Sequence, residues 1–143
     1  MVLMCVNTWA VLGAAVACMV IGFLWYSPLL FAKAWRVAMG YDPADQERMA
    51  SMRKSAGPKY GIAFLTSLLS AFVLGKIIYH LAISTALYGM KVGLAVWAAF
   101  AMTVQLTDKV FSDRPLNLFL INTGYQLVCY LAMGAILGQW AGC

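Results

Sequence analysis

The chain has 143 residues, 64% of them hydrophobic and only 10% charged, against roughly 45–50% and about 25% in ordinary soluble domains. A water-soluble fold of this length could not hide so much apolar surface, so the composition points to a single domain whose solvent is lipid. The formal net charge of +5 does not indicate nucleic acid, because the basic residues fall between apolar runs and form no single stripe. They carry topology information instead.

The opening MVLMCVNTW has no basic n-region, and the apolar stretch behind it is longer than a signal-peptide core. It reads as a retained first membrane helix over about residues 7–28. About 20 predominantly apolar residues cross the hydrocarbon core, and three more runs of that kind follow, over about 60–83, 89–107 and 116–140. The expected fold is an all-α, four-helix transmembrane bundle. None of the runs has a charge at its centre; Lys76 and His80 stand near the far end of the second, where long side chains can snorkel to the interface.

Between the first and second runs lies an amphipathic connector, about residues 29–59, with Lys33, Arg36, Arg48, Arg53, Lys54 and Lys59 against Asp42, Asp45 and Glu47. Leu29, Leu30, Phe31, Trp35 and Met39 alternate with Lys33 and Arg36 in the manner of a short helix lying among headgroups. Asp42-Pro43 predicts a helix start, and Gly57-Pro58 ends that piece and opens the second span. The connector and the turn from Asp108 to Pro115, with Lys109 and Arg114, hold eight of the ten basic residues. By the positive-inside rule both face the cytoplasm, and both termini are expected outside an inner (cytoplasmic) membrane.

Small residues four apart let helix backbones approach in lipid, where no water-driven force gathers helices. Gly89xxxGly93 and Gly134xxxGly138 fit this spacing. They serve either packing within one bundle or association with a second copy or other membrane chains.

Candidate chemistry is sparse. There is no P-loop, dinucleotide glycine motif, HExxH or GxSxG, and the single histidine rules out a histidine-rich metal centre. No carboxylate lies inside a span, where a proton-coupled carrier would place one. Cys5, Cys18, Cys129 and Cys143 lack metal or redox spacing; Cys5 and Cys143 are the pair that could meet at one membrane surface. No catalytic residue, metal or cofactor is expected.

What remains is a lopsided set of uncharged polar groups: Ser27, Thr66, Ser67, Thr103, Gln105, Thr107, Asn117, Asn122, Thr123 and Gln126 all fall in the half of their helices nearer the connector. Asn122 and Gln126 are one turn apart and share a face that Cys129 and Met133 continue. An unpaired amide in hydrocarbon costs several kcal/mol, so the cluster is either a hydrogen-bonded clamp or the lining of a shallow cavity for a lipid headgroup, quinone-like ring or other small amphiphile. Trp25, Tyr26, Ser27, Thr103, Gln105, Asn122, Tyr125 and Gln126 are its candidate residues, with Trp25 and Tyr26 at the rim.

The stretch VNTWAVLGAAVACMVIGFLWYSPLLFAKAW, with Trp25-Tyr26-Ser27-Pro28 before Phe31, Lys33 and Trp35, resembles the start of the four-helix bacterial membrane proteins grouped as domain-of-unknown-function family 1761. Phe111-x-x-Arg114-Pro115 through LFLINTGYQLV to MGAILGQW resembles the end of the same family. The resemblance implies a four-span inner-membrane fold and no assigned activity. It directs attention to Asn7, to Trp25 through Pro28, to Arg114-Pro115 and to Asn122 through Tyr125. With no catalytic constellation and glycine faces on two helices, the leading expectation is a non-catalytic accessory or scaffold subunit. The alternative is a binder or carrier of a small amphiphile.

Overall fold

The computed structural model describes residues 7–27, 29–38, 40, 47, 50–51, 54 and 56–140. Helix α1 spans Thr8–Trp25, α2 Ala32–Ala38, α3 Ala56–His80, α4 Ala86–Val96, α5 Thr103–Ser112 and α6 Leu116–Gln139; Trp97–Met102 joins α4 to α5 as a π-helical segment. No strand occurs among the described residues. Four helices, with α4 through α5 taken as one, are long and apolar enough to cross a membrane, and the protein is a four-span helical membrane bundle.

Local chemistry sets the helix ends. The Asn7 side chain accepts from the Trp9 and Ala10 amides at 3.1 and 3.3 Å, and its own amide donates to the Trp140 carbonyl at 3.1 Å. One residue therefore caps the start of α1 and binds the end of α6, which puts both ends of the bundle's sequence on one side, here the terminal end. Pro58 sits in the first turn of α3, where a missing N–H leaves no bond broken. That helix closes on Ala82, whose φ of 57° is left-handed, with the Ala82 and Ile83 amides folding back to Tyr79 and Ile78.

Two of the expected spans move most. The third span runs to Ser112 and does not stop at residue 107, because Asp108 is exposed, Lys109 is half-buried, and nothing terminates the helix until left-handed Asp113 and Pro115. Second, α3 begins at Ala56 and ends at His80, a few residues earlier at both ends than 60–83. The expected surface helix is α2, packed on α6. The helix start at Asp42-Pro43 and the Cys5–Cys143 pairing lie outside the described residues.

Helix α6 is the hub, touching α1, α2, α3, α4 and α5. Its tightest partner is α4, and the cause is the two glycine pairs. A Cβ on Gly134 would collide with the Gly89 carbonyl oxygen, and one on Gly93 with that of Tyr130; a Cβ on Gly138 would lie 2.9 Å from the Gly89 Cα. The backbones are in direct contact, which only glycine permits. Both glycine motifs are thus consumed by packing within one chain.

On the other flank, α1, α3 and α6 meet in a seam confined to the terminal half. Ala10, Ala14 and Cys18 recur every four residues along α1 and face Ala71, Leu74 and Ile78 of α3 and Cys129, Met133 and Leu137 of α6. Leu74 and Ile78 are fully buried. Toward the connector α3 leaves the bundle: Gly57 through Ile62 are exposed, whereas Ala71, Leu74, Gly75 and Ile78 are buried. That splay opens a cleft.

Candidate functional site

The cleft lies between the second half of α1 and the first half of α3, with Tyr125 of α6 as its floor. Its outer part, about 350 Å³, is lined by Met19, Gly22, Phe23 and Tyr26 of α1 and by Lys59, Tyr60 and Ala63 of α3. The Phe23 and Tyr60 rings touch across its mouth, centroids 5.0 Å apart. A second, inner part of about 220 Å³, farther from the connector, shares Ala63 and Tyr125 with the first and is lined by Thr66, Ser67 and Ser70 of α3, Cys18 of α1, and Gln126, Cys129, Tyr130 and Met133 of α6. Together they have the size range of small-molecule sites.

Gly22 is what lets the floor ring in. The Tyr125 hydroxyl lies 3.1 Å from where a Cβ on Gly22 would be, and it donates to the Cys18 carbonyl at 3.3 Å. Tyr26 packs edge-on against the same ring at 5.4 Å, and its hydroxyl donates to Asn122 Oδ1 at 2.7 Å. The rim is therefore held by α6.

The polar set of the sequence divides into two groups with different jobs. One group is a clamp. Besides the Tyr26–Asn122 bond, the Trp25 and Trp97 indoles donate to the Ile121 and Thr123 carbonyls, each at 3.0 Å, and the Thr123 hydroxyl donates to Gln105 Oε1 at 3.0 Å. Four side-chain bonds thus converge on one turn of α6, each satisfying groups that hydrocarbon would leave unpaired. The other group lines the cleft. Thr66 returns its hydroxyl to the Ala63 carbonyl at 2.9 Å, but Ser67, Ser70, Gln126 and Tyr130 have no side-chain hydrogen-bond partner among the described residues.

Of the eight candidate residues, Tyr26, Tyr125 and Gln126 border the cleft. Trp25 turns its ring to Gly124 and Phe31, and Ser27 bonds the Leu24 carbonyl at 2.7 Å. Thr103 is exposed and bonds the Ala99 and Phe100 carbonyls of its own helix, the former at 2.7 Å. Gln105 and Asn122 border a separate, much smaller hollow of about 40 Å³ beside Asp108 and Arg114, which pair at 3.6 Å on the surface. Asn122 and Gln126 thus part company despite sharing a helix face, because Tyr26 captures the first and α3 stands opposite the second. Sequence reasoning missed Lys59, Tyr60, Ala63 and Ser70; the serine's four-residue step from Thr66 was the available signal.

The family profile that matches this chain, described as a protein of unknown function (DUF1761), covers residues 9–138. The chain belongs to the DUF1761 family. Neither a curated protein nor a solved structure matches it. The DUF1761 match takes in all four spans, the clamp and the whole cleft, so the site is built from the family's own domain.

Proposed function

We propose that this protein binds a small amphiphile from the bilayer in the α1–α3–α6 cleft. The observation that carries the reading is a lateral opening of this size lined by hydroxyls, an amide and a phenol that have no partner among the described residues. Unpartnered polar groups in hydrocarbon cost several kcal/mol, and a hydrogen-bonding occupant removes that cost. The accessory-subunit reading rested on the lack of catalytic chemistry together with small-residue motifs on two helices. Those glycines pack between α4 and α6, which removes one of its two supports and favours the cleft.

Native mass spectrometry of the protein drawn gently from its own membrane tests the proposal. One small amphiphile retained per chain is the expected spectrum, lost in Ala63→Phe, which places a ring where the linings of both parts meet. A ligand-free wild-type spectrum, or equal retention by a folded Ala63→Phe, refutes it. The basic connector supports a cytoplasmic connector end and an inner-membrane location. Labelling of Cys143 from outside intact cells is the expected result there, and labelling only after lysis reverses the orientation.

A further inference from the structure

The cleft is polar in an unusual place. Counting along the helices at about 1.5 Å per residue, Gln126 and Ser67 lie roughly 15 Å and Ser70 roughly 20 Å from the connector-side ends of α6 and α3. This is about the middle of a hydrocarbon core about 30 Å thick. The outer part, nearer the headgroups, is instead lined mainly by Met19, Phe23, Ala63 and aromatic rings. A phospholipid seated in the ordinary way would put its chains against the hydroxyls and its phosphate against the rings, which is the wrong match at both ends.

Charge sharpens the point. Among the described residues, the cation bordering the cleft is Lys59, exposed at the mouth. Among the described residues the inner part is lined by neutral groups, with Thr66, Ser67, Ser70, Gln126 and Tyr130 beside the buried thiols of Cys18 and Cys129. Burying a phosphate there without a counter-charge would be prohibitive. A carbonyl or hydroxyl can enter and find both donors and acceptors, since serine, tyrosine and glutamine supply each.

Resting on the reading of the cleft as an amphiphile site, we propose that its occupant is a neutral lipid whose uncharged, oxygen-bearing head inserts at mid-membrane depth against Ser67, Ser70 and Gln126. Its chain leaves sideways between α1 and α3 past Phe23 and Tyr60. The head chemistry is that of a quinone carbonyl or a glyceride hydroxyl, and anionic phospholipid is excluded from the inner part.

Calorimetric titration of the full chain in mild detergent with decylubiquinone, dioctanoylglycerol and dioctanoyl phosphatidylglycerol separates the cases. At least one neutral probe binds, and whichever binds tighter names the source of the head. Its Kd rises about tenfold in Gln126→Leu and in the Ser67→Ala/Ser70→Ala double variant, the loss expected for about one neutral hydrogen bond. In Lys91→Gln, an exposed lysine that borders neither part of the cleft, it stays within about twofold. Should Gln126→Leu fail to fold, the serine variant, which removes only two oxygens, carries the test. Tighter binding of the phosphatidylglycerol with loss in Lys59→Gln overturns the neutral, deep-seated head while leaving an amphiphile site. Neutral binding unchanged in every inner-part variant also overturns it. Binding of no probe, with nothing retained in the native spectrum, overturns the underlying reading as well.

Discussion

Gly134→Ala tests whether the two glycine motifs hold one chain together or join two. A Cβ at Gly134 would sit 2.8 Å from the Gly89 carbonyl carbon and 3.2 Å from the Met90 Cα, and would collide outright with the Gly89 oxygen. Carbon atoms pack at about 3.5–4.0 Å, so α4 and α6 must separate by roughly 1 Å. The obstacle is backbone on both sides, leaving no side chain to rotate aside. A gap of that size forfeits up to about half of each contact's attraction. Overpacking of this kind costs about 1–3 kcal/mol, and a rigid site belongs at the upper end. Alanine's better helix propensity returns about 1 kcal/mol. The net expectation is about 2 kcal/mol of lost stability, or roughly a 30-fold shift in the unfolding equilibrium.

The assay is reversible unfolding in detergent mixtures followed by far-ultraviolet circular dichroism, with Gly13→Ala as the control. Gly13 lies in α1 with nothing within 4 Å of its would-be Cβ, so that variant is expected to match the wild type or exceed it by up to about 1 kcal/mol. Equal stability of the two variants would refute the packing account. So would a Gly134→Ala protein whose monomer is unaffected but whose oligomer dissociates, because that result assigns the glycine face to a second chain.

Other substitutions probe the joints of the bundle. Asn7→Ala removes the α1 cap and the tie to Trp140 together and is expected to cost about 1–2 kcal/mol, with faster amide exchange in the first turn of α1; exchange at the wild-type rate counts against the double role. Ala82→Gly relieves a left-handed backbone that alanine resists and is expected to stabilise by about 1 kcal/mol; a lower melting temperature would contradict the strain. Tyr26→Phe deletes the 2.7 Å bond to Asn122, with an expected loss of about 1 kcal/mol, and no change in melting would show that the rim is not held from α6.

The number of spans and the location of their apolar runs were legible in the sequence, because hydrocarbon thickness fixes how long an apolar run must be. So were the small-residue spacing and the concentration of amides near the connector. These are local or periodic properties, readable one helix at a time. Which glycine met which, and on whose chain, was not, since Gly89 and Gly134 are 45 residues apart and the spacing rule is the same for a dimer as for a bundle. Nor could periodicity separate clamp from cleft. Asn122 and Gln126 occupy one face of α6, yet Tyr26 engages the first and the splayed start of α3 leaves the second facing a cavity. That outcome depends on where α3 departs from α1, and only the tertiary packing decides it: tight where Ala14, Leu74 and Ile78 share one buried cluster, open where Gly22, Tyr60 and Ala63 line the cleft.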